Sequence, residues 1–175
     1  MLFVVGAPGV GKTTALAALL DPFTTSLVPR PKWTISPPVA LVGHYGSGDF
    51  SGGDTVPYNG AAIALDHWFR HLRHDPDIRA SVFDGDRFSS VGLLRRMQGQ
   101  GLDPACLLLT ASDATLADRR HARGSKQNPS WMKGRATKAH NFSQLFDATR
   151  RHQVNTDDLT PDQVTTQITS MLGLT

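Results

Sequence analysis

Apolar residues fall along the chain in two rhythms. Short unbroken runs, Leu2-Phe3-Val4-Val5, Val39-Ala40-Leu41-Val42 and Ala105-Cys106-Leu107-Leu108-Leu109, have the length and composition of strands buried on both faces. Between them lie stretches of helical character. Residues 14–20 are rich in Ala and Leu, which favour helix. Ala62, Leu65, Trp68, Phe69 and Leu72 give an apolar face to a helix predicted over 57–73. Further helices are predicted over 89–98, 113–123 and 131–151, and further strands over 24–28, 78–83 and 152–155. Asp21-Pro22 stops the first helix, and the proline-rich stretch 29–38 reads as a connection. Thr160-Pro161-Asp162-Gln163 combines a capping box with proline at the first helical position, and so opens the last helix. Strands alternating with helices predict an α/β fold: three α/β/α layers around a central parallel sheet, in a single domain over 1–175.

The turn after the first strand changes the picture. Gly6-Ala7-Pro8-Gly9-Val10-Gly11-Lys12-Thr13-Thr14 contains a complete G-x-x-x-x-G-K-[ST] loop. Its glycines let successive backbone N–H groups turn inward and cradle phosphate oxygens. Lys12 is placed to reach the β- and γ-phosphates, and the Thr13 hydroxyl to meet Mg²⁺. A strand before the loop and a helix after it supply the required context, so the chain is expected to bind a nucleoside triphosphate in a P-loop NTPase fold.

Composition adds exclusions. With 39% hydrophobic and 19% charged residues the chain is an ordinary globular sequence. No apolar stretch approaches the ~20 residues that span a bilayer. The N-terminal apolar residues belong to the first strand, not to a signal peptide, which predicts a cytoplasmic location. The single cysteine, Cys106, lies inside an apolar strand, so a buried inert thiol is expected and no disulfide framework exists. Net charge is +3, but it is unevenly spread. Residues 119–151 hold nine Lys/Arg and one acid, while the remainder holds nine basic and fourteen acidic residues. A basic segment on an acidic body points to phosphates, of a nucleotide or of a nucleic acid backbone.

Ligands in α/β sheets bind beyond the carboxyl ends of the strands, and candidate chemistry gathers there. Asp84 ends the strand predicted over 78–83, where a Mg²⁺-associated carboxylate is expected in a P-loop enzyme, with Asp86 two residues on and Arg87 offering a planar fork for phosphate. The sequence leaves open which aspartate is base and which is metal partner. In the glycine-rich 43–55 loop, Tyr45 and Phe50 are candidates to stack on a base, and Asp49 or Asp54 to accept a proton from a substrate hydroxyl. Within a basic lid over about 119–138, Arg119, Arg123 and Arg135, then Lys126 and Lys138, are candidates to neutralise a transferring phosphoryl group, with Trp131 as packing anchor.

Across nearly the whole chain the order of elements resembles the thymidylate-kinase-like P-loop kinases. Asp86-Arg87-Phe88 is similar to their D-R-[YF] triplet, and the resemblance implies that Arg87 holds the acceptor's phosphate. The chain is shorter than is usual for that group, and the 43–55 loop differs from its substrate loop. Gly48-Asp49-Phe50-Ser51-Gly52-Gly53-Asp54, with the lid pattern R-G-S-x-Q-N…W-x-x-G-R-x-T-K, is more similar to phage 5-hydroxymethyluracil DNA kinases. That resemblance implies ATP, Mg²⁺ and transfer to a base hydroxymethyl group in DNA, in the host cytoplasm if the chain is phage-encoded. The alternative acceptor is a free pyrimidine nucleotide, as for a deoxynucleoside monophosphate kinase. An alternative of another class is a nucleotide-binding ATPase or switch protein, although no N-K-x-D guanine-reading motif is present. Oligomeric state stays open.

Overall fold

The computed structural model describes residues 1–46, 51–124 and 128–174. The apolar runs form the centre of a seven-stranded sheet ordered β2-β3-β4-β5-β1-β6-β7. Its strands are β1 (Leu2–Gly6), β2 (Ser26–Val28), β3 (Trp33–Ser36), β4 (Val39–Val42), β5 (Ala80–Asp84), β6 (Ala105–Thr110) and β7 (Arg151–Asn155). The five from β4 to β7 across the sheet are parallel, as the alternation with helices requires. Helices α1 (Lys12–Ala17), α2 (Ala61–Arg70), α3 (Val91–Gln98), α4 (Asp113–Ala122), α5 (Pro129–Ser143) and α6 (Pro161–Met171) cover the two faces.

Alternation along the buried strands decides which helix goes where, because successive side chains point to opposite faces. Phe3, Val5, Ala40, Val42, Phe83, Cys106 and Leu108 face one core, packed by Leu65 and Trp68 of α2, Leu94 and Met97 of α3, and Phe142 of α5. Leu2, Val4, Leu41, Val82, Leu107 and Leu109 face the other, under Leu16 of α1 and Val164 and Ile168 of α6. The first core is strongly aromatic. Phe3 lies 5.3 Å from both Phe83 and Phe142 between ring centroids, and Phe83 also meets Trp33, Trp68 and Phe88. Cys106 is buried in this core, where desolvation pushes its thiol up to about 12. The expected inert thiol is what the fold contains.

Three expectations need correcting. The proline-rich connection contains a strand, β3, which pairs antiparallel with both β2 and β4, so the sheet is mixed at one edge. Prolines flank β3 and do not interrupt it, and Trp33, fully buried with its Nε1 donating to the Ala64 carbonyl, anchors it to α2. Helix α1 ends at Ala17, three residues early, because the chain turns at Leu19 and Leu20 through bonds to Leu16 and Ala17. Helix α5 ends at Ser143 and not near Arg151: Phe146 turns into the core against Phe3 and Phe142, and a tight turn on the Asp147 carbonyl starts β7. The capping box at Thr160 and Gln163 forms as expected. At the sheet's edges, β2 has only three residues, and β7 turns His152, Gln153 and Asn155 to solvent. Among the described residues no helix is long and apolar enough to cross a membrane.

Phe142 ties α5 to the sheet through Phe3 and Phe146. Phe142→Ala is expected to lower stability by about 3–5 kcal/mol, read from denaturant unfolding. A loss under about 1 kcal/mol would mean that α5 does not depend on this cluster.

Candidate phosphate and metal site

Parallel pairing puts the ends of β1 and β5 side by side, with the Gly85 amide donating to the Val4 carbonyl. The loop after β1 and the Asp84-Gly85-Asp86 turn after β5 therefore share one rim. In the first, Gly9 and Gly11 take φ of +93° and +95°, a region that side chains with a Cβ rarely adopt. The loop curls so that Lys12 reaches back, its Nζ donating to the carbonyls of Gly6 at 2.8 Å and Ala7 at 3.0 Å. Burial lowers the Lys12 pKa, opposed by the charges of Asp84, Asp54 and Asp86.

Asp84 is 3% exposed. Its Oδ2 accepts from the Tyr45 hydroxyl and from the Gly53 amide, each at 3.0 Å. Its Oδ1 is buried with no hydrogen-bond partner among the described residues. Burial raises its pKa, opposed by the Lys12 ammonium and by the two hydrogen bonds. The backbone of the 43–55 loop presses on this carboxylate. A Cβ at Gly52 would lie 2.5 Å from Asp84 Oδ2 and 3.4 Å from Thr13 Oγ1, and one at Gly53 would overlap the Asp84 carbonyl oxygen. The Thr13 hydroxyl and the Asp84 carboxylate thus border one small space. A buried carboxylate with one unpartnered oxygen, on the rim that also carries the Thr13 hydroxyl, suits Mg²⁺, which binds through one or two protein oxygens and keeps several waters.

With the loop, the strand order and the buried carboxylate together, the architecture is decided. The chain has the P-loop NTPase fold. No protein-family model matches the sequence, and no curated protein matches it. Among solved structures, the tunicamycin resistance protein of Deinococcus radiodurans is similar in fold. It is 18% identical with a TM-score of 0.53, over 99% of this chain and 95% of that one. A gluconokinase from Sinorhizobium meliloti 1021 is 13% identical with a TM-score of 0.45, over 98% and 90% of the two chains. A shikimate kinase from Bacteroides thetaiotaomicron is 13% identical with a TM-score of 0.44, over 99% and 98%.

Around this P-loop the remaining candidates separate. Asp86 is clamped by α5: Arg135 forms an ion pair with Oδ2, and the Lys138 ammonium lies 3.0 Å from Oδ1 and donates to the Asp86 carbonyl at 2.8 Å. Although burial pushes its pKa up, these hydrogen bonds hold the Asp86 carboxyl below its ordinary value. Arg135 also stacks on Trp131 of the same helix at 4.9 Å, and Trp131 is exposed rather than packed against the body of the protein. Arg87 lies 5.8 Å over the Tyr58 ring, and its Nε is 3.9 Å from the exposed carboxylate of Asp54 and buried with no hydrogen-bond partner among the described residues. Arg123 is exposed at the end of α4, and its charge contributes to lowering the Lys12 pKa after burial.

Two further candidates sit differently from expectation. Tyr45 is not an open stacking surface: its ring is 8% exposed in the core and its hydroxyl is committed to Asp84. Arg119 does not reach over the phosphate loop as a lid residue. It braces the loop from the side, donating to the Thr156 carbonyl at 2.7 Å, the Thr156 hydroxyl at 3.0 Å and the Gly9 carbonyl at 3.4 Å. Asp49, Phe50 and Lys126 lie outside the described residues. Among the described residues of 119–151, several other cations are held by neighbours. Arg120 bonds to the Leu116 carbonyl, Arg150 to Asp103 and Arg151 to Gln144. Sequence reasoning missed Tyr58, an aromatic ring under the Arg87 guanidinium at 77% exposure. It stands directly after Pro57 in a stretch assigned to a helix, where a tyrosine reads as surface.

Arg119→Ala removes a charged donor from three loop acceptors and is expected to cost about 1–3 kcal/mol. Arg123→Ala is expected to stay within about 0.5 kcal/mol. Urea unfolding of both variants checks the contrast; equal effects would return Arg119 to a surface role.

Proposed function

We propose that the chain is an ATP-dependent phosphotransferase of the small-molecule kinase type, moving the γ-phosphoryl group to a hydroxyl of an acceptor held at the rim beyond β4 and β5. The observation that carries this reading is the meeting of the P-loop lysine, the Thr13 hydroxyl and a buried carboxylate with one unpartnered oxygen. The P-loop amides and Lys12 would hold the β- and γ-phosphates, and Thr13 with Asp84 would hold Mg²⁺. When bound, Mg²⁺ would supply positive charge to offset that of the transferring phosphoryl group. During transfer the acceptor oxygen bonds to the γ-phosphorus as the bond from that phosphorus to the ADP oxygen breaks. The acceptor's proton passes to Asp86, once Arg135 and Lys138 have moved from it onto phosphate oxygens. Because the transition state is loose, alignment and positive charge matter more than the strength of that base.

For the acceptor we infer a nucleotide-type molecule. Support comes from Tyr58, an exposed ring beside the Arg87 guanidinium, which suits a flat base carrying an anionic group. The loop and lid patterns that resemble phage 5-hydroxymethyluracil DNA kinases make that base in DNA the first acceptor to test. The ion pairs of Arg135 and Lys138 with Asp86 and of Arg150 with Asp103 favour the second reading, a free nucleotide, since these three charges are already balanced by carboxylates of the same chain.

Purified protein with Mg²⁺ and γ-labelled ATP is to be offered free deoxynucleoside monophosphates, DNA with and without 5-hydroxymethyluracil, and tunicamycin, named in the Deinococcus resistance protein. Label in one acceptor and its loss in Lys12→Ala, by at least about a hundredfold, is expected. ATP hydrolysis with no acceptor labelled would instead support an ATPase or switch protein. Tyr58→Ala is expected to raise the acceptor KM about tenfold or more, with the KM for ATP unchanged. An unchanged acceptor KM would remove Tyr58 from the acceptor site.

A further inference from the structure

We infer that Tyr45 is a positioning residue for the Asp84 carboxylate, fixing which of its oxygens is presented to a divalent cation. This inference rests on the phosphotransferase reading above, and extends it to a residue that touches neither nucleotide nor acceptor. An ionised carboxylate has about four lone-pair positions, shared between two oxygens that exchange when the group rotates. In this structure the two oxygens are not equivalent. Oδ2 takes both donors, the Tyr45 hydroxyl and the Gly53 amide, each at 3.0 Å, while Oδ1 takes none. The two donors define one rotamer and leave Oδ1 free for the metal or its water shell. Hydrogen bonds of this kind behind a metal ligand commonly control affinity, and losing one costs 10–100-fold.

Tyr45 is itself held from behind. The Thr34 hydroxyl of β3 donates to the Gly43 carbonyl at 2.8 Å and accepts the Tyr45 amide at 3.2 Å. Across the loop, Gly52 donates to the His44 carbonyl at 2.7 Å. The Tyr45 ring packs in the same core as Val39, Leu41 and Val82. A phenylalanine keeps that packing and removes only the donor, so Tyr45→Phe isolates the hydrogen bond.

The test measures binding, not turnover. Affinity for a non-hydrolysable ATP analogue is measured by titration calorimetry with and without Mg²⁺, and Mn²⁺ binding to the protein–ADP complex is followed by electron paramagnetic resonance. For Tyr45→Phe the analogue affinity without metal is expected to match wild type, and the Mn²⁺ affinity to fall by about tenfold. Asp84→Asn serves as the reference that removes the metal dependence. If wild type shows metal dependence and Asp84→Asn removes it while Tyr45→Phe matches wild type, the positioning role is overturned and the phosphotransferase reading stands. If wild type shows no metal-dependent binding at all, both fall. An equal loss of analogue affinity with and without metal would also overturn it, since that pattern marks general damage to the loop.

Discussion

The structure is arranged around one expensive act, the withdrawal of the Asp84 charge from water. A carboxylate at 3% exposure is tolerable only where cations and donors replace its hydration. Three separate segments converge to do so: Lys12 from the P-loop, and Tyr45 and Gly53 from the two arms of the 43–55 loop. Their backbones must approach closely. Gly52 and Gly53 stand where any Cβ would strike Asp84. The loop is therefore constrained at its ends by electrostatics as much as by packing.

The two aspartates of the turn after β5, two residues apart, are driven in opposite directions. Burial lifts the pKa of Asp84, whereas Arg135 and Lys138 hold Asp86 low against its own burial. Divergent environments of this kind separate the roles of paired carboxylates. Here one is an inward group facing the P-loop, and the other links the end of β5 to helix α5. Through Asp86, and through Phe142 on the same helix, α5 is joined to the sheet at its rim and in its core.

Much of this was legible in the residues. The P-loop spacing, the unbroken apolar runs of β1 and β6 and the capping box at Thr160 are local patterns, and each specifies its own geometry. What escaped was non-local. β3 is short and bracketed by prolines, and becomes a strand because Trp33 finds a buried place against α2 and because β2 and β4 are there to pair. Tyr45 read as a loop aromatic because nothing in the sequence says that its hydroxyl meets a residue 39 positions away. Arg119 and Arg135 looked alike in a basic run, but they lie on separate helices, α4 and α5, which carry one beside Gly9 and the other to Asp86. Charge counting finds a basic segment without showing where each cation is neutralised.

The edges of the sheet have a consequence for the chain's life in a crowded solution. An open strand offers unpaired amides and carbonyls as a template for another chain. At one end β2 offers only three residues, too short a template to hold a stranger. At the other, β7 is longer, but its outward residues are His152, Gln153 and Asn155, polar groups that give an incoming strand no apolar surface to bury. Length guards one margin and polarity the other, so a sheet with a densely apolar centre is protected from growing into an aggregate.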